Sequence, residues 1–131
     1  MTGPEKSRAR HAAGYGAGHS AETLAAWFLR LKGYRILARR YRSPRGEIDL
    51  IAVRRGLVVA VEVKYRPDEA AGRHAIGLRQ RQRIAAATED WCARTGHGQH
   101  GVRFDAVIIL PGRGWAGGWR WPRHIVDAWR L

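Results

Sequence analysis

Two stretches of the chain, GEIDLIAVR and LVVAVEVKY, are apolar enough to be strands, yet Glu47, Asp49, Glu62 and Lys64 are set into them. Between them lies RRGL, where Gly56 is the residue that readily takes positive φ. This predicts a hairpin with Arg55 and Gly56 as a two-residue loop and Arg54 facing Leu57. In that register Asp49 lies opposite Glu62, and Glu47 opposite Lys64. Side chains alternate along a strand, so all four charged groups should share one face as two cross-strand pairs. Adjacent carboxylates repel, and one ammonium does not neutralise three acids. A Mg²⁺ ion would, because it takes oxygen ligands and is typically held by one or two carboxylates, waters and a substrate phosphate. The residue types therefore point to a divalent-metal site that acts on phosphodiesters. The plain alternative is a solvated hairpin face with surface ion pairs worth little each. It accounts for Glu47 with Lys64 better than for Asp49 beside Glu62.

The charge balance points the same way. The 131 residues carry 24 Lys and Arg against 11 Asp and Glu, a net charge of +13. Such an excess favours a polyanion, since each phosphate neutralised releases condensed counterions. Nucleic acid is the first candidate and an anionic membrane surface the second. Arg39, Arg40, Arg42 and Arg45 lead directly into the hairpin and are placed to grip a phosphate backbone near the metal. The longest apolar runs, LVVAV and AVIIL, are strand-sized, well short of the roughly 20 residues of a membrane-spanning helix. One cysteine, Cys92, fits a reducing compartment, and a cytoplasmic location is expected.

The elements that must position these groups can be read in outline. Residues 1–18, rich in Gly, Ala and Arg, are expected to be a mobile tail, leaving 19–131 as one domain. A helix is predicted from Ser20 to about Lys32, with Leu24, Trp27, Phe28 and Leu31 as its apolar face. That face points away from Glu22. A strand around Tyr34 to Ala38 and a basic connection, ARRYRSPRG, precede the hairpin. RPDEAAGR reads as a loop and Ala75–Arg94 as a long helix with Ile76, Ile84, Ala87 and Trp91 buried. VRFDAVIIL reads as a strand covered on both faces, and HIVDAWRL as a terminal helix. The order implies an α/β sandwich around a mixed sheet.

Other residues carry weaker signals. Cys92, His97 and His100 lack the tight spacing of a structural zinc site. Asp105, inside an apolar strand, is expected to pair with an arginine. Trp115, Trp119 and Trp121, interleaved with Arg113, Arg120 and Arg123, suit either packing at a sheet edge or homodimer interface, or stacking on bases.

Asp49 followed by Glu62-Val63-Lys64 resembles the PD-(D/E)XK nuclease motif. GEIDLIA with VEVKYR, KGYRIL, RFDAVII and HIVDAW resembles more narrowly the YraN-like family of endonuclease-fold proteins. The resemblance implies a restriction-endonuclease-like core, a mixed central sheet flanked by helices. It also implies Mg²⁺ (or Mn²⁺) held by Asp49, Glu62 and the Val63 carbonyl, with Lys64 orienting the attacking water or stabilising charge on phosphorus. Glu22 would bind a second metal or order its water; a first-turn acid is also favoured by the helix dipole alone. Gln80 stands near a lysine that family members tend to carry on the second helix, and either faces the site or bonds at the core edge. The expected activity is hydrolysis of phosphodiester bonds in DNA, branched or single-stranded, selective for structure rather than sequence. The alternative is a nucleic-acid-binding protein that keeps the scaffold without turnover.

Overall fold

The computed structural model describes residues 20–112 and 121–130. Residues 20–31 form helix α1. Three strands follow, β1 (Arg35–Ser43), β2 (Gly46–Arg54) and β3 (Leu57–Tyr65). Then come a short helix α2 (Glu69–His74), a long helix α3 (Leu78–Thr95), and strands β4 (Val102–Ile109) and β5 (Arg123–Trp129). The strands make one sheet in sequence order, antiparallel throughout except for the parallel β3–β4 pair. A parallel neighbour requires a crossover, and α2 with α3 supplies it. The expected α/β class and mixed sheet are thus present, in an arrangement compatible with a restriction-endonuclease-like core.

The hairpin forms in the predicted register. Arg55 and Gly56 both take positive φ, +52° and +81°, and Arg54 faces Leu57. Two successive left-handed residues match the strand twist, which is why this turn needs its glycine.

Alternation along β3 and β4 divides the core in two. Val58, Ala60, Ala106 and Ile108 pack with Ile76, Ile84, Ala87 and Trp91 under α2 and α3. Val59, Val61, Val107 and Ile109 pack with Ala21, Ala25, Ala26 and Leu29 under α1. The central strands are therefore covered on both faces, as their continuous apolar runs require.

Four expectations are corrected. In α1 the buried side is Ala21, Glu22, Ala25, Ala26, Phe28 and Leu29, while Trp27 and Leu31 are 59% and 75% exposed. Small alanines let the helix lie close to the sheet, and that rotation carries Glu22 inward. The basic connection continues β1 as far as Ser43; charged residues suit an edge strand, which they guard against pairing with other chains. The RPDEAAGR loop contains α2, whose N-terminus is capped by Asp68 accepting from the Ala71 N–H. HIVDAW is the edge strand β5, because β4 offers it an open side. The predicted tail 1–18 and the residues Arg113, Trp115, Trp119 and Arg120 lie outside the described residues. Trp121 packs edge-to-face on Phe28 with ring centroids 5.2 Å apart.

Helix α3 is fitted to the start of β2 through Gly46. A Cβ built on Gly46 would lie 2.1 Å from the carbonyl oxygen of Arg83. Backbone cannot yield as a side-chain tip can, so Gly46→Ala must push α3 off the sheet. The expected cost is about 1–3 kcal/mol, the usual range for overpacking. Urea unfolding checks it, and a variant within about 0.5 kcal/mol of wild type, the scatter of an ordinary surface change, would contradict the close fit.

Candidate active site

Pairing between β2 and β3 runs from Arg54–Leu57 to Leu50–Val61 and ends there. Asp49 is the next residue, and its Oδ2 accepts a 2.8 Å hydrogen bond from the Val63 N–H. A side chain thus does what the β2 backbone would do in a continued ladder, and the strands separate beside it. The expected ladder pairs Asp49–Glu62 and Glu47–Lys64 are not formed. Asp49 and Glu62 remain near enough nonetheless to shift each other's ionisation. Glu47 does not reach Lys64; it is exposed, with Oε2 3.4 Å from Arg42 Nε on β1. The ammonium of Lys64 lies 3.3 Å from Glu62 Oε1 instead.

The acids approach the gap from both sides of the sheet rather than from one face. Glu62 is 4% exposed and follows Val58 and Ala60 toward α3, where Gln80 Nε2 donates to its Oε1 at 2.8 Å. Glu22 comes from α1, on the opposite face, also buried. Its carboxylate takes Arg40 Nε at 3.0 Å and has Arg39 Nε at 3.5 Å, and its Oε1 is buried without a hydrogen-bond partner. The sheet prepares this contact through Arg40, whose φ of +52° is left-handed for a non-glycine residue. The irregularity lets Ala38 and Tyr41 both pack toward α3 while Arg39 and Arg40 both turn to Glu22. Strain of this kind costs about 1–3 kcal/mol and concentrates at functional sites.

Burial makes both central acids harder to ionise, and at Glu62 the Asp49 charge adds to it. Removal from water, then the neighbouring Asp49 charge, pushes Glu62 up to about 8, against the smaller opposing pull of Lys64. Asp49 is also raised, chiefly by burial, although the Val63 N–H favours its ionised form.

A cavity of about 360 Å³ opens over these groups, lined by Glu22, Glu47, Asp49, Val63 and Lys64 together with Arg40, Arg42 and Arg66. Of the four arginines expected to grip phosphate, only Arg40 and Arg42 line it. Arg39 bonds Thr23 Oγ1 at 2.7 Å beside Glu22. Arg45 turns away to Asp90 at 2.8 Å and Glu89 at 3.6 Å, on the far part of α3. All four stand within 4 Å of a carboxylate. Arg66, which directly follows VEVKY, is a lining residue that the strand pattern did not single out.

Among the described residues no three His, Cys, Asp or Glu side chains converge tightly enough to enclose a metal ion alone. The donor set nonetheless suits a hard divalent cation. Half-buried Asp49 and an unsatisfied Glu22 oxygen face this cavity, buried Glu62 stands beside Asp49 on the α3 side, and Mg²⁺ completes its shell with water and phosphate. His97 stacks on Trp91, ring centroids 5.0 Å apart. Asp105 is away from the gap, fully buried and paired with Arg103 as expected.

Residues 21–109 match the family described as "Uncharacterised protein family UPF0102". The UPF0102 protein of Mesorhizobium japonicum is 47% identical over 125 residues, 95% of this chain and 94% of its own length. That of Parvibaculum lavamentivorans is 48% identical over 120 residues, 90% and 84% of the two chains. That of Brucella canis is 49% identical over 109 residues, 82% and 81%.

Proposed function

The chain belongs to the uncharacterised protein family UPF0102, and from the geometry of its buried acids we propose that it is a divalent-metal-dependent nuclease hydrolysing phosphodiester bonds in DNA. One observation carries the reading. Half-buried Asp49 and buried Glu62 lie near enough to shift each other's ionisation with one ammonium beside them, an arrangement a divalent cation would relieve. The order Asp49, then Glu62-Val63-Lys64, also resembles that of PD-(D/E)XK nucleases. Asp49 and Glu62 would hold Mg²⁺ or Mn²⁺ with the Val63 carbonyl, and Glu22 would hold a second ion or its water. When bound, the metal supplies Lewis-acid polarisation and neutralises charge on the phosphate.

The chain's own groups do the rest. Glu62 must give up its proton before it can ligate, so metal binding should strengthen as pH rises through about 8. Gln80, through its bond to Glu62 Oε1, fixes that carboxylate's orientation. Lys64 places an ammonium where negative charge grows on phosphorus and donates to the water that attacks in line. Arg40, Arg42 and Arg66 are placed to hold the backbone of the strand.

The test is incubation of branched and single-stranded DNA with Mg²⁺ or Mn²⁺, beside Asp49→Ala. Wild type should cut, and the variant should bind without cutting. If wild type cuts no substrate in either metal, the enzyme reading fails and the silent DNA-binding protein takes its place. Lys64→Ala should lower turnover by about 10²–10³, the usual cost of one transition-state donor. Its metal affinity should be nearly unchanged, since Lys is no ligand. Calorimetry in which Lys64→Ala abolishes metal binding would overturn that role.

A further inference from the structure

Glu62 lines a separate cavity, about 510 Å³, on the α3 side of the sheet and shared with Gln80, Arg79 and Arg83. Arg79 and Arg83 are one helical turn apart, so they project from the same face of α3. Both are exposed, and neither makes an ion pair or hydrogen bond to a described residue. They differ in this from Arg39, Arg40, Arg42 and Arg45, each of which stands beside a carboxylate. Arg81, between them, is committed elsewhere, donating to the Ile76 carbonyl and lying over the Trp129 ring.

The placement is electrostatically unfavourable for the protein alone. The first turn of α3 holds no acid, and its opening LRQRQR carries three cations at the end of the helix that repels them. Like charges four residues apart add repulsion. Glu89 and Asp90 lie further along α3 and serve Arg45, and Glu47, which lines the same cavity, stands beside Arg42. The position of this helix end is also closely fixed, at Gly46 by backbone contact and at Glu62 through Gln80. Uncompensated positive charge, held rigidly next to a buried acid, is what an incoming anion would complete.

We propose that Arg79 and Arg83 form a second phosphate-binding site, on the α3 side of the carboxylate pair, that grips a phosphate of the substrate strand. It rests on reading Asp49 and Glu62 as the cutting site. Glu47 lines both cavities, so a strand held by Arg40 and Arg42 on one side would cross the acids and reach Arg79 and Arg83 on the other. The bound phosphate is either an internal phosphodiester or a strand-terminal phosphate.

The test measures binding of a short single-stranded oligodeoxynucleotide in Ca²⁺ across a salt series, for wild type and Arg79→Ala/Arg83→Ala. The control, Arg35→Ala/Arg55→Ala, removes equal charge from a separate cavity at the hairpin turn. The site variant should flatten the salt slope by about 0.7 for each phosphate it no longer neutralises, while the control changes it less. It should also melt at or above the wild-type temperature, because repulsion at the helix end is relieved. If the weakening is confined to a 5′-phosphorylated oligonucleotide, the site takes a terminal phosphate; if 5′-hydroxyl DNA shows it equally, an internal one. Equal slopes for the two variants, or none altered, would overturn the proposal. Because this assay needs no cutting, it stands even if wild type proves unable to hydrolyse DNA. Wild type that binds no oligonucleotide would overturn both readings.

Discussion

Glu62→Gln is expected to make the metal-free protein more stable at pH 9 while it abolishes DNA cutting. Unfolded, the Glu62 carboxyl ionises near 4.5; folded, burial and Asp49 hold its proton to about 8. Between those values the native state binds more protons than the unfolded state, so this group makes stability fall as pH rises from 4.5 to 8. Above 8 the loss is complete and constant. At about 1.4 kcal/mol per pKa unit, with a discount for coupling to Asp49, the loss is on the order of 3 kcal/mol. A glutamine in the same place keeps the volume and carries no charge to bury, so the variant should escape that limb of the pH profile. Thermal melts in EDTA at pH 5 and pH 9 measure it: the gap between variant and wild type should open toward alkaline pH. Excess Mg²⁺ at pH 9 should then raise the melting temperature of wild type and leave Glu62→Gln unmoved, since only a ligand of the native state stabilises it. A variant that gains nothing at pH 9, or that still responds to Mg²⁺, would remove Glu62 from the site.

The hairpin was legible from sequence because everything that sets it is local: a turn that needs positive φ, and two apolar runs of matching length. The same register brings Asp49 near Glu62, although the expected ladder pair between them does not form. What pairing rules missed was the end of the ladder. They extend β2 against β3 indefinitely, whereas the Asp49 carboxylate captures the Val63 N–H and lets the strands part. Glu47 then pairs with β1 rather than Lys64. The face of α1 was misjudged because hydrophobicity favoured Trp27 and Leu31, while close approach to the sheet favoured Ala21, Ala25 and Ala26. That rotation decides the fate of Glu22. In β5, Ile125 and Trp129 are both buried at a spacing that fits a helix or a strand equally. The open side of β4 settles it. The arginine partners were not legible either, because Arg45 finds Asp90 and Arg40 finds Glu22 only through tertiary packing.

Asp105→Asn is expected to cost about 3 kcal/mol at pH 7, or roughly 10 °C of melting temperature, without altering the Asp49 site. Asp105 is fully buried on the α1 face, yet it is answered on every side. Arg103 donates twice at 2.8 Å, the Asp127 N–H at 2.9 Å, and His124 Nε2 lies 2.7 Å away. Arg103 also reaches the Tyr34 hydroxyl, and Lys32 meets the other ring nitrogen of His124, so the cluster joins β4, β5 and the end of α1. Burial alone would raise this carboxyl, but the bonds from His124, Arg103 and Asp127 overcome it and hold it below its ordinary 3.8. The sign is therefore opposite to that of Glu62. The stabilisation is fully present above 3.8 and lost as pH falls through the lowered value, so the gap between wild type and Asn should narrow in acid. Chemical unfolding at pH 7 and below pH 3 measures it, and a gap that stays constant would contradict the assignment. The two acidic sites lie in one sheet and are both largely out of water. Asp105 has donors enough to remain ionised, whereas Asp49 and Glu62 divide among them one N–H, one amide and one ammonium. A site built only for stability resembles the first, and the deficit at the second is the charge a divalent metal would supply.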